Sequence, residues 1–114
     1  MDIKNSPGWY GQTVGFAKFD LTPVEESMAF LLSGNVPYEF RTTVVRQFHD
    51  EAAIEEMGTW AAGLVPGKKA DKWFLQAFTD RESVLFSGLS APEDAQLHAF
   101  AQLLSPFAQQ VGVR

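Results

Sequence analysis

Four charged side chains stand where strands would aim them together. Asp2 and Lys4 lie two apart in Met1-Asp2-Ile3-Lys4. Glu39, Arg41 and Thr43 lie two apart in Tyr38-Glu39-Phe40-Arg41-Thr42-Thr43-Val44-Val45. Successive side chains of a β-strand alternate between its faces, so each set shares a face, with Met1 and Ile3 on the other. In a parallel α/β sheet ligands lie beyond the carboxyl ends of the strands, so a carboxylate, an ammonium and a guanidinium could converge there on a ligand. Arg41 has the planar fork that grips a carboxylate through two parallel hydrogen bonds. The plain alternative is a structural ion pair among Asp2, Lys4, Glu39 and Arg41 that ties adjacent strands. Burying such groups costs several kcal/mol each unless they are paired or bind a ligand.

The other polar features carry less. His49 follows the second strand beside Asp50 and Glu51, where a pH-sensitive or general-base role is conceivable. A loop histidine ahead of a helix cap is instead expected to be solvent-exposed and structural. His98, one residue past core-facing Leu97, is expected at the surface. Gly8, Gly11 and Gly15 match neither Gly-x-Gly-x-x-Gly nor Gly-Lys-Ser/Thr, so the segment from Ser6 to Asp20 is a strand-to-helix loop with a short turn of helix around Trp9 and Tyr10. Lys68 and Lys69 fall at the amino end of the third strand and serve as solubility charges. Arg81 and Glu82 follow that strand on the ligand side, where a loop could cover a pocket or touch a protein substrate.

The elements that must position these groups are marked by caps. Thr22-Pro23-Val24-Glu25 combines an N-cap hydroxyl, a proline at the first helical position and a carboxylate able to return to the cap, and predicts a helix over 23–33 with Val24, Met28, Leu31 and Leu32 as its stripe and Gly34 as its stop. Asp50 caps a helix whose Ile54, Met57, Ala61 and Leu64 face inward, ending before Val65-Pro66-Gly67. Ser90-Ala91-Pro92-Glu93 opens a third, with Leu97, Phe100, Ala101 and Leu104 inward, interrupted at Ser105-Pro106 and restarting at Pro106. Strands are predicted at 1–4, from Tyr38 to Val45, from Trp73 to Phe78, and at Val111 to Val113. The two middle ones are almost continuously apolar, which favours strands covered on both faces and a parallel sheet. The order βαβαβα, with right-handed crossovers, is an α/β fold of three strand–helix units in one domain spanning 1–114.

Composition bounds the partners. At 114 residues, with 46% apolar content, ten Phe and three Trp, the chain can bury a real core. A net charge of −5 with no basic run beyond Lys68-Lys69 argues against nucleic acid and anionic membranes. There is no apolar run of about 18 residues and no charged-then-apolar leader, so a cytoplasmic location is expected. The sequence has no cysteine, and therefore no thiolate for zinc, an iron–sulfur cluster or a redox pair.

The wording of the segments adds a resemblance. Asp2-Ile3-Lys4, Ser6-Pro7 with Tyr10 and Val14-Gly15, the string Glu39-Phe40-Arg41-Thr42-Thr43-Val44-Val45, and Phe74-Leu75-Gln76-Ala77-Phe78 together resemble the later portion of radical S-adenosylmethionine activating enzymes, above all those that serve anaerobic ribonucleoside-triphosphate reductases. The resemblance spans essentially the whole chain. It implies the second half of a partial, TIM-like (β/α)6 barrel, with Asp2, Lys4 and Arg41 bordering the S-adenosylmethionine pocket. Gln76 is the better polar contact at the third strand, since the stretch where some relatives place a histidine is Phe78-Thr79-Asp80 here. The implied function is that of the C-terminal part of a glycyl-radical-enzyme activase, with an anaerobic ribonucleotide reductase-like glycyl radical enzyme as partner. The family's [4Fe-4S] cluster needs a cysteine loop that this chain does not contain, so it is not expected to be active alone. Met1 then reads as an internal methionine, with an N-terminal half supplied by a longer or second chain. The alternatives are a non-catalytic ligand-binding or partner-binding half-barrel module, and a structural half-barrel that self-associates through its open sheet edge.

Overall fold

The computed structural model of the chain describes residues 1–16, 18–79 and 88–114. Helices α1 (Pro7–Val14) and α2 (Thr22–Leu32) lead to β1 (Phe40–Val44). Then follow α3 (Glu51–Leu64), β2 (Ala70–Ala77), α4 (Asp94–Leu104), a 3-10 turn at Ser105–Phe107 and β3 (Ala108–Val113). The sheet order is β1-β2-β3, all parallel, with Phe40 opposite Trp73 and Trp73 opposite Val111. Residues 1–4 extend it beside β1 through a parallel bridge between Asp2 and Arg41. There the Ile3 N–H donates to the Arg41 carbonyl at 2.8 Å, and the Arg41 N–H to that of Met1 at 2.9 Å. Strands therefore lie side by side in chain order. The sheet's buried side packs against α2, α3 and α4, as right-handed crossovers between strands in this order would place them.

That side is the core. Ile3, Phe40, Val44, Trp73 and Leu75 are fully buried against Met28, Ile54, Met57, Leu97, Phe100 and Leu104 of the helices. A polar thread crosses it: Trp73 Nε1–H donates to Thr42 Oγ1 at 3.1 Å, and the Thr42 hydroxyl donates to the Ile3 carbonyl at 2.7 Å. The expectation of strands covered on both faces is corrected here. Arg41 and Lys72 are exposed on the opposite face, so the strands alternate in the manner of a half-covered sheet, and Phe74 owes its aromatic run to that second face.

The caps also differ from expectation. Asp50 behaves as predicted, its Oδ1 accepting from the Ala53 N–H at 2.8 Å. Thr22, however, lies inside α2, and Asp20 Oδ1 accepts from its N–H at 3.0 Å, while Glu25 turns away to accept from Trp60 Nε1–H at 2.7 Å. Ser90 does not cap α4, whose N-cap is Glu93. It donates its N–H to Gln47 Oε1 at 2.9 Å and receives Gln47 Nε2 on its hydroxyl at 2.9 Å, pinning the approach to α4 onto the turn after β1. The restart at Pro106 amounts to a single 3-10 turn before β3, and the turn around Trp9 and Tyr10 is a full eight-residue helix. Gly58 in α3 has a packing reason, since any Cβ there would collide with the Phe107 ring. No helix among the described residues is long and apolar enough to cross a membrane.

Candidate functional site

Among the described residues no helix covers the second face of the sheet, and it gathers Asp2, Lys4, Arg41 and Gln76. Asp2, Arg41, Phe74 and Gly112 lie level with one another across it, and Thr43 and Gln76 form the next level toward the carboxyl ends. Asp2 Oδ1 lies 3.5 Å from Arg41 Nε, and Asp2 Oδ2 lies 3.7 Å from Lys4 Nζ. Gln76 Nε2 donates to Thr43 Oγ1 at 2.9 Å. Asp2, Lys4, Arg41 and Gln76 therefore share one surface.

The charges are gathered without being locked. The side chains of Asp2, Lys4 and Arg41 are 52%, 48% and 46% exposed, and their separations exceed the roughly 2.8 Å of a tight N–H···carboxylate bond. Pairs of this kind contribute about 0–1 kcal/mol. A burial cost therefore does not demand a role for them, and what distinguishes the trio is convergence on an accessible face. Such side chains can exchange each other for a ligand at little loss. A zwitterion fits this donor set, its carboxylate toward Arg41 and Lys4 and its cationic centre toward Asp2.

The places of Phe74, Gly112 and Arg114 beside the trio escaped sequence reasoning. Glu39 does not join the Asp2 cluster. Its carboxylate receives two bonds from the Arg114 guanidinium, at 2.8 and 3.1 Å. That guanidinium lies 3.9 Å from the centre of the Phe74 ring. A Cβ at Gly112 would come within 3.0 Å of Phe74 Cε1, so the ring lies along bare backbone. An aromatic plate clasped by an ion pair thus adjoins the charged trio. Its signal was the two-residue alternation through Phe74, Gln76, Gly112 and Arg114, masked because Phe74 looks like core.

The remaining candidates separate. His49 is buried, at 2% exposure, and not solvent-exposed as expected. Burial holds its pKa below the ordinary value, against the opposing pull of its bonds to Lys4 and Val45 and of the Asp50 charge. Tyr10 is also buried, which raises its pKa; the Lys4 backbone hydrogen bond pulls the other way, while the Asp2 charge adds to the rise. His98 is exposed, with Nδ1 2.8 Å from the Asp94 carbonyl. Lys68 and Lys69 are exposed ahead of β2, at its amino end, and Thr79 is exposed beyond its carboxyl end. Arg81 and Glu82 lie outside the described residues.

No group of three or more His, Asp or Glu side chains among the described residues is arranged to hold a metal ion, and the sequence has no cysteine. With no cysteine in its sequence, the chain has no thiolate of its own to offer an iron–sulfur cluster. Comparison with known proteins adds no relative: no family model, no curated protein and no solved structure matches the chain.

Proposed function

We propose that the open sheet face is one wall of an S-adenosylmethionine pocket, and that the chain works as the half-barrel part of a glycyl-radical-enzyme activase whose cluster cysteines come from other polypeptide. The observation that carries this reading is that Asp2, Lys4, Arg41 and Gln76, the residues the resemblance points to, share the helix-free face of the sheet, with Asp2 within 4 Å of both cations. Arg41 takes the carboxylate of the amino-acid head in its fork, and Lys4 adds a point charge to the same group. Asp2 answers the positive charge of the ammonium or the sulfonium. Gln76, on the neighbouring strand, offers an amide to the ribose hydroxyls, and the Phe74 ring an apolar neighbour. When bound with its cluster, S-adenosylmethionine supplies the radical chemistry, which belongs to the cofactors. The work of this chain is to bind and orient.

The sulfonium gives the reading its test. A carboxylate about 5 Å from a unit charge contributes on the order of 1 kcal/mol in a half-exposed setting. S-adenosylmethionine should therefore bind about fivefold tighter than the uncharged thioether S-adenosylhomocysteine, and Asp2→Asn should erase the difference in titration calorimetry. Equal affinity for both ligands in the unsubstituted chain would contradict the assignment of Asp2. A second reading, a binding module with no chemistry of its own, is favoured by the absence of cysteine. It shares the same face and predicts the same discrimination, but no glycyl radical when a cysteine-bearing half and a glycyl radical enzyme are added under reducing conditions.

A further inference from the structure

The first strand leaves the ladder that Ile3 begins. The Ile3 carbonyl accepts from the Thr42 hydroxyl at 2.7 Å, and the next carbonyl, that of Lys4, lies 2.9 Å from His49 Nε2. Across the same ring the Val45 N–H donates to Nδ1 at 3.0 Å. The imidazole thus bridges a carbonyl of the first strand and an amide just past the end of β1. An amide can only donate, so Nδ1 is the acceptor and the ring proton sits on Nε2, pointing at Lys4.

We infer that His49 is a strut that fixes Lys4, and with it the ammonium-bearing border of the open face, relative to β1, and that only the neutral Nε2–H imidazole can fill this role. A second proton would sit on Nδ1 and face the Val45 N–H. The new N–H could reach the Val45 carbonyl at 3.2 Å, but that oxygen already accepts the His49 amide at 3.0 Å, and the Val45 amide would be left buried without a partner. Asp50 at the head of α3 is the charged side chain that acts on the ring, and it favours the cation; Lys4 and Val45 meet the ring through their backbones. Because burial holds the imidazole pKa below its unfolded value, the unfolded chain takes up the proton first as pH falls. The strut's contribution is whole above the unfolded pKa of about 6.5 and is lost progressively below it. His49 is a positioning residue, and its importance for a ligand rests on the proposed role of the open face.

The test is an NMR titration of the 15N-labelled chain that follows the His49 imidazole together with exchange of the Ile3 amide, whose bond to Arg41 reports the attachment of the first strand. The expected result is an Nε2–H tautomer at neutral pH, and a fall of at least tenfold in Ile3 protection in step with His49 protonation. His49→Phe should show that fall at neutral pH, with partial recovery in His49→Gln, whose amide can still donate to Lys4. An Nδ1–H tautomer, or Ile3 protection that ignores the protonation of His49, overturns the inference, and the unsubstituted chain alone decides this if the variants do not fold. S-adenosylmethionine titrations separate the two claims. If Lys4→Met weakens binding and His49→Phe does not, the strut has no part in placing the ligand, although the open-face site stands. If Ile3 protection responds as expected but neither substitution changes binding, the strut stands and the open-face site falls.

Discussion

Replacing Arg41 with methionine should weaken S-adenosylmethionine binding by about 10- to 100-fold while shifting the melting temperature by no more than a few degrees. A hydrogen bond to a charged group contributes about 1.5–3 kcal/mol, and each 1.4 kcal/mol is a factor of ten. The stability side of the forecast comes from the geometry. Arg41 meets Asp2 at 3.5 Å with its side chain 46% exposed, so the fold loses little when the guanidinium goes. Methionine keeps an unbranched apolar stem. Arg41→Lys should fall between, since it keeps the charge and loses the fork. Titration calorimetry alongside thermal melts reads both quantities. Undiminished affinity in Arg41→Met would remove the guanidinium from the site, and a collapse of the fold would make Arg41 a structural residue.

Trp73→Ala should have the largest effect on stability, about 4 kcal/mol in urea unfolding. Removal of a buried large aromatic typically costs 3–5 kcal/mol, which is a large share of the roughly 5–15 kcal/mol available to a domain. Trp73 is fully buried, packs edge-on to Phe40 at 5.2 Å between ring centres, and anchors the thread through Thr42 to Ile3. Trp73→Phe should cost only about 1–2 kcal/mol, because Thr42 keeps its bond to Ile3 and most of the volume is retained. A loss below about 1.5 kcal/mol for the alanine variant would mean that the centre of the core lies elsewhere. The two substitutions divide the sheet by face. One side of β1 and β2 holds the fold and the other carries the proposed function, with residues a single position apart.

That division was partly legible in the sequence. The alternation of Glu39, Arg41 and Thr43 with Phe40, Thr42 and Val44 separated the open face of the sheet from the buried one, and the periodic apolar stripes located the helices behind the latter. Hydrophobic periodicity is a strong signal because it follows directly from what the core must bury. The errors fall where one residue type can satisfy two environments. Phe74 is apolar in sequence, yet it lies on the open face because Arg114 and bare backbone at Gly112 cover it. Ser90 and Thr22 have the chemistry of caps, but Gln47 and Asp20 supply nearer partners. His49 looked like a loop residue because the ring's place between Lys4 and Val45 depends on two strands separated by some forty residues of chain. No local pattern encodes such a contact. The pairing of Glu39 with Arg114 is longer in range still, joining residues 75 positions apart.

The exposed state of the trio also bears on how the site would work. Asp2, Lys4 and Arg41 satisfy one another loosely, so the face is stable without a ligand and needs little rearrangement to accept one. A zwitterion would replace internal pairs with shorter ones, and polypeptide closing over the face, as proposed, would exclude water and strengthen each. Affinity in the chain alone should accordingly be modest.

The central claim is that S-adenosylmethionine binds the helix-free face, and a titration of the 15N-labelled chain with S-adenosylmethionine, followed amide by amide, tests it most directly. The account predicts saturable shifts at Asp2, Lys4, Arg41, Thr43, Phe74 and Gln76, with Ile54, Phe100 and Leu104 on the helical side unmoved. Shifts centred on the helices, or none at all up to millimolar ligand, would contradict it.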